Sequence, residues 1–163
     1  MFRYLMIAGA MLTAVALAYR LLGSNLQDPD ATRHREILDQ MMEHNRRAFP
    51  EVDVIDVAKV IPLMKQNDLV IVDVRSDAER KVSIIPGAVS AAEFERNIGK
   101  HVGKSVVCYC TIGYRSAEYA QSMKRRGIQI TSFNGSIIAW CQAGQNLTTA
   151  DGRETKQVHI YGP

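Results

Sequence analysis

Hydrophobic positions along this 163-residue chain fall into three successive patterns. Leu5 to Tyr19 is a run of 15 residues without a charge, followed by Arg20 and then Leu21-Leu22. As a helix, residues 5–22 measure about 27 Å at about 1.5 Å per residue. That is just enough to cross a hydrocarbon core of about 30 Å if Arg20 snorkels to the interface. From Ala31 to Phe49 the apolar residues Ile37, Leu38, Met41, Met42, Ala48 and Phe49 recur at helical spacing among charged and amide residues. This predicts a spacer helix with one apolar stripe, opened near Asp28-Pro29-Asp30 and ended by Pro50. Docking of the stripe on the main domain is preferred to a partner-binding role.

From residue 51 short apolar runs alternate with helical stretches. Val52 to Ile55 reads as a strand. Asp56 can cap a turn from Val57 to Ile61, and Pro62 is expected to break it and open a second short helix to Gln66. Leu69-Val70-Ile71-Val72-Asp73-Val74 shows no alternation, which suits a strand covered on both faces, as in a parallel sheet. Ala91 to Ile98 is a weak helix, and Lys104 to Tyr109 is the next buried strand. Ser116 to Arg126 reads as a helix closed by Gly127, with Lys124-Arg125-Arg126 complementing its dipole. Gly127 to Thr131 is expected to be a strand, and Ser136 to Ala143 a helix ending at Gly144. The pattern predicts an α/β fold: an open, mostly parallel sheet flanked by helices, preceded by an N-terminal hydrophobic helix and the spacer helix. The tail from Thr148 to Pro163 reads as a terminal strand or an unstructured end.

Three roles remain open for the N-terminal segment. As a signal anchor, residues 5–22 make a single-pass, membrane-anchored protein, and this reading is preferred. As a cleaved signal, with Ala16-Leu17-Ala18 as the small-x-small site, it gives a secreted protein. As a presequence, with Arg3 and Arg20 and no acid before Asp28, it gives an organellar one. Arg20, Arg33 and Arg35 outnumber Arg3, which slightly favours the domain on the positive-inside face.

Charge adds little. Residues 1–50 carry six Lys/Arg and five Asp/Glu, and residues 51–163 carry fourteen and twelve, so no basic patch points to nucleic acid. The three cysteines, Cys108, Cys110 and Cys141, are too few for a disulfide-stapled scaffold. His34, His44, His101 and His159 show no metal-ligand spacing.

Cys110 is the chemical focus. It lies between a strand end and a helix start, facing free backbone N–H groups and the positive end of a helix dipole. Such surroundings favour a nucleophilic thiolate. Gly113 permits the close backbone approach that a cradle around one sulfur needs. Arg115 offers a fixed charge and a fork for an oxyanion. Ser116 is placed to cap the helix, and Tyr114 lies at the site mouth or is simply exposed. The set fits covalent chemistry on sulfur.

These residues resemble the rhodanese-like sulfurtransferases. Asp73-Val74-Arg75 is similar to the family's Asp-x-Arg at a strand end, and Ile85-Pro86-Gly87-Ala88 to the core of its Gly-His-Ile-Pro-Gly-Ala signature. Cys110 to Arg115 resembles its six-residue active-site loop. Phe133-Asn134-Gly135-Ser136 with Ile137, Trp140, Ala143 and Gly144 resembles its closing region. Two departures stand out: Ser83-Ile84 replace a frequent Gly-His, so the turn before Ile85 can differ, and Ser136 replaces a frequent second glycine. Neither is expected to touch the nucleophile. The resemblance covers a rhodanese-like domain (51–147); outside it the residue pattern gives a signal anchor or signal peptide (1–27), a spacer helix (28–50) and a tail (148–163).

It also implies a mechanism. Cys110 takes the outer sulfur of a small anionic donor such as thiosulfate, carries it as a persulfide, and passes it to a thiol or other thiophilic acceptor. Thr111, Ile112, Gly113, Tyr114, Arg115 and Ser116 would form the binding loop, and no metal or organic cofactor is needed. Asp73 and Arg75 are read as a structural ion pair, and Trp140 and Cys141 as packing residues.

Three rivals are weighed. Phosphatase or arsenate reductase loops use Cys-(x)5-Arg. Here Cys110 to Arg115 is Cys-(x)4-Arg, and Cys108 to Arg115 is Cys-(x)6-Arg, so neither frame fits. A membrane-tethered binding module without catalysis is the main alternative, though such modules usually lack the cysteine. Cys108 at i, i+2 from Cys110 could act as a resolving thiol, but a small buried hydrophobe is the preferred reading.

Overall fold

The structure is a computed structural model that describes residues 29–66 and 69–159. The chain divides into two compact units, residues 1–37 and 38–163. Of the first unit only the opening of helix α1 (Pro29–Ala48) is described, and the hydrophobic segment 5–22 lies outside the described residues. Among the described residues no helix is long and apolar enough to cross a membrane.

The second unit is built on a five-stranded sheet in the order β1-β5-β4-β2-β3, all pairs parallel. The strands are β1 (Val54–Ile55), β2 (Leu69–Asp73), β3 (Val89–Ser90), β4 (Ser105–Tyr109) and β5 (Thr131–Phe133). The helices are α2 (Val57–Met64), α3 (Asp77–Val82), α4 (Ala91–Arg96), α5 (Tyr114–Arg125) and α6 (Ser136–Gln142), with a 3-10 turn at Ile98–His101. A two-stranded antiparallel pair, β6 (Leu147–Thr148) and β7 (Glu154–Thr155), follows.

Alternation explains the unbroken apolar strands. In β2, Ile71 enters one half of the core with Val107, Tyr109 and Phe133, where Val60, Ile137 and Trp140 of the helices cover it. Val70 and Val72 enter the other half with Cys108, where Phe94 of α4 and Ala117, Ala120 and Met123 of α5 cover them. Both faces of the central strands are buried, so both sets of positions must be apolar. The apolar stripe of α1 docks in part: Leu38 is buried, Met42 packs on the core, and Phe49 just beyond the helix is buried, whereas Met41 is 42% exposed.

Three local expectations are corrected. Pro62 does not break α2, which runs through it. In so short a helix the ring removes one N–H donor, and Val57, Val60, Ile61 and Met64 keep their apolar face on the core. Residues 127–130 are not a strand. Gly127, at φ +77°, ends α5, and the Ile128 N–H returns to the Met123 carbonyl at 3.0 Å, so pairing begins only at Thr131. Finally, α5 starts at Tyr114 rather than Ser116, because Gly113 at φ +112° turns the chain directly into the helix.

The described part of the tail, residues 148–159, contains the end of β6 and the whole of β7. Leu147 is fully buried, and Thr148 bridges Ile84 through bonds of 2.7 and 3.0 Å. That bridge is what the Ser83-Ile84 turn is used for. Behind it lies a buried network. Arg75 binds Asp73 through two guanidinium nitrogens at 3.0 and 2.7 Å and donates to the Ser83 carbonyl at 2.6 Å. The Tyr109 hydroxyl donates to Asp73 at 2.6 Å and accepts from the Ile85 N–H at 3.0 Å. Asp73 and Arg75 thus tie β2 to β4 and to the 83–85 turn.

Candidate active site

Cys110 follows the last residue of β4, at the carboxyl end of the sheet, where α/β folds gather their ligands. It is buried at 1% exposure, yet it lines a cavity of about 540 Å3. The loop after it is held by its carbonyls. The Cys110 and Thr111 carbonyls accept from the Ile137 and Ile138 N–H groups of the first turn of α6, each at 3.3 Å. The Ile112 carbonyl accepts from the Asn45 side chain of α1 at 3.2 Å, and the Gly113 carbonyl from the Ala117 N–H at 3.1 Å. The carbonyls of all four residues from Cys110 to Gly113 are thus engaged. The Gly113 N–H donates to Cys110 Sγ at 3.2 Å.

Two glycines make this close approach possible. A Cβ on Gly113 would meet Asn45 Nδ2 at 3.2 Å, in a backbone conformation that L residues rarely adopt. A Cβ on Gly135 would meet Ala139 Cβ at 2.8 Å and Met42 Sδ at 2.9 Å.

Ser136 corrects an expectation, because it does touch the nucleophile. It is fully buried with φ +51°, a conformation unusual outside glycine. Its hydroxyl accepts from the Cys110 N–H at 3.1 Å and donates to the Phe133 carbonyl at 2.9 Å, with Cys110 Sγ at 4.0 Å.

Arg115 is engaged by a residue the sequence reading missed. Its terminal nitrogens bind the two oxygens of Glu79 at 2.9 and 2.7 Å, and one also reaches the Thr111 hydroxyl at 2.9 Å. Glu79 is 2% exposed and sits in the first turn of α3, in a capping box with Ser76. The Arg115 guanidinium, followed by the Ser76 N–H and hydroxyl, outweighs burial and holds the Glu79 carboxyl down to about 2. The Arg115 pKa is raised, chiefly by the hydrogen bond to Glu79. The Ser76-x-x-Glu79 spacing was a legible signal for the cap, though not for its reach to Arg115.

The remaining loop residues divide. Thr111, Ile112, Tyr114 and Arg115 line the cavity with Met41, Glu118 and Ile138. Tyr114 is 44% exposed and meets Phe49 edge-on at 5.1 Å. Ser116 does not cap α5 through its side chain. Its hydroxyl is fully buried, donating to the Gly113 carbonyl at 3.0 Å and lying 2.9 Å from the Ser132 hydroxyl. Cys108 is a buried core residue whose thiol donates to the Ser116 carbonyl at 3.2 Å, and burial pushes its pKa far up. Among the described residues no cluster of His, Cys, Asp or Glu could hold a metal ion.

Cys110 stands between the end of β4 and the start of α5, and a rhodanese-like domain is matched over residues 56–143. The chain belongs to the rhodanese-like family. Solved structures agree on the fold. A thiosulfate sulfurtransferase from Pseudomonas aeruginosa is 22% identical with a TM-score of 0.57; the match covers 77% of this chain and 25% of that one. A Bacillus halodurans protein is 18% identical with a TM-score of 0.54, covering 76% and 93%. A protein of unknown function from Rhodopseudomonas palustris, described as a possible tyrosine phosphatase, is 25% identical with a TM-score of 0.52, covering 66% and 91%. No curated protein matches the sequence.

Proposed function

We propose that this rhodanese-like protein is a sulfurtransferase that carries sulfane sulfur on Cys110. The observation that supports this most directly is the Gly113 N–H donating to Cys110 Sγ at 3.2 Å, in a loop whose carbonyls are bound by other donors. Such a cradle stabilises negative charge on one sulfur and on a second sulfur bonded to it.

The reaction has two halves. The Cys110 thiolate attacks the outer sulfur of a sulfane donor. A new S–S bond forms, the donor's own S–S bond breaks, and the leaving group departs with the electron pair. An acceptor thiolate, or cyanide in an assay, then attacks the outer sulfur of the persulfide and restores the Cys110 thiolate. Sulfur moves without net oxidation, so this chemistry needs no cofactor. Thr111, Ile112, Tyr114 and Arg115 shape the approach, Gly113 supplies the N–H, and Ser116 sets the loop from behind.

Thiocyanate formation by the full chain, with a sulfane donor and cyanide, tests the reading. Cys110→Ser should abolish it, and turnover in that variant would sink the assignment. We further propose that residues 5–22 anchor the protein to a membrane. Retention in the membrane fraction after alkaline extraction supports an anchor, and release argues against it.

A further inference from the structure

A single peptide group joins the nucleophile to helix α1. The Ile112 carbonyl accepts from Asn45 Nδ2 at 3.2 Å, and the Gly113 N–H donates to Cys110 Sγ at 3.2 Å. These are the two ends of one planar unit. No cis peptide bond occurs among the described residues, so the carbonyl and the N–H point to opposite sides of the chain. Whatever fixes the carbonyl therefore aims the N–H. Gly113, at φ +112°, leaves the plane free to turn over, and the Asn45 amide opposes that turn. Asn45 is itself well held: it is 7% exposed, on a helix docked through Leu38 and Met42. A Cβ on Gly113 would meet Asn45 Nδ2 at 3.2 Å, so the glycine also makes room for the amide. A donor on the carbonyl polarises the N–H of the same peptide and strengthens its bond to sulfur. Helix α1 precedes the matched residues 56–143, so this contact comes from the chain's own N-terminal helix.

We propose, resting on the sulfurtransferase reading, that Asn45 is a positioning residue for sulfur loading: through the Ile112–Gly113 peptide it aims the Gly113 N–H at the sulfur of Cys110. Asn45 is not among the residues lining the cavity. Its effect therefore falls on the rate of loading at saturating donor and not on donor binding. Helix α1 is in this account a working part of the site as well as a spacer.

The test follows Cys110 loading in the full chain over a range of concentrations of benzenethiosulfonate and, separately, of thiosulfate. Asn45→Ala should lower the limiting rate by about tenfold and leave the half-saturating concentration within about twofold. Asn45→Asp keeps the size but sets a carboxylate oxygen against the Ile112 carbonyl, and should lose at least as much. Val60→Ala truncates a buried core side chain of α2 and serves as the control for lost stability. At temperatures where it is folded, its limiting rate should stay within about twofold of wild type. In 1H–15N spectra the Gly113 amide proton should move upfield in both Asn45 variants, as a weakened bond to sulfur requires, and keep its position in Val60→Ala. Asn45 variants that load as fast as Val60→Ala, that change only the half-saturating concentration, or that leave the Gly113 resonance in place would overturn the inference and leave the sulfurtransferase reading intact. Failure of wild type to load with either donor would overturn both.

Discussion

Arg115 and Glu79 face each other as a two-bond pair at 2.7 and 2.9 Å, 36 residues apart in sequence. Glu79 is buried and Arg115 is 27% exposed. The arginine expected to receive an anionic donor is thus already bound to a carboxylate at the start of α3. Its first effect is to position: it draws the start of α5 and Thr111 toward α3, and so fixes one side of the Cys110 loop.

Glu79 consequently links the site to acid stability. Its carboxyl is held at about 2 in the folded chain, against 4.5 for an ordinary one. A depressed folded value adds stability that is fully present above about pH 4.5 and is lost as pH falls toward 2. Glu79→Gln removes that contribution and should cost about 2–3 kcal/mol at neutral pH. Urea midpoints measured from pH 7 to pH 2 should show wild type and variant converging as pH falls. A constant gap across that range would contradict the pairing.

Ser136→Ala removes the acceptor for the Cys110 N–H and the donor to the Phe133 carbonyl, both buried. The φ of +51° stays strained for alanine. The expected loss is about 1–3 kcal/mol, read as a fall of several degrees in Tm, with slower sulfur loading of Cys110. Unchanged Tm and loading would show that the hydroxyl is idle.

Much of this was legible in the sequence. The parallel α/β sheet could be read from the doubly covered Leu69–Val74 and Lys104–Tyr109 runs, and the position of Cys110 from the junction of strand and helix. The Asp73-x-Arg75 pair could be read as a structural tie. What was not legible depended on distance through space. Glu79 reaches Arg115 across 36 residues, and Asn45 holds Ile112 across 67. Ser136 could be recognised as a departure from glycine, but its contact with Cys110 comes from the turn between β5 and α6. Pro62 misled because tertiary packing of α2 outweighs one missing donor.

Gly113→Ala should separate function from folding. The added Cβ is strained at φ +112° and crowds Asn45. A strain of about 1–3 kcal/mol confined to the loop should slow Cys110 loading by about tenfold or more. Loading at the wild-type rate, followed by stopped-flow thiol alkylation and mass analysis, would show that the loop tolerates another path.

Tyr109→Phe tests the neighbouring network. It strips Asp73 of one donor and leaves the Ile85 N–H without its acceptor. We expect about 1–3 kcal/mol of destabilisation with little change in sulfur loading, measured by chemical denaturation alongside the transfer assay. A large kinetic effect at unchanged stability would place Tyr109 in the reaction instead of the frame.

The central claim is that Cys110 carries sulfur, and intact mass tests it most directly. The full chain is incubated with benzenethiosulfonate, and separately with thiosulfate, beside Cys110→Ser. The expected result is a gain of one sulfur, about 32 Da, reversed by cyanide and absent from the variant. No gain with either donor, or an equal gain in the variant, would contradict it.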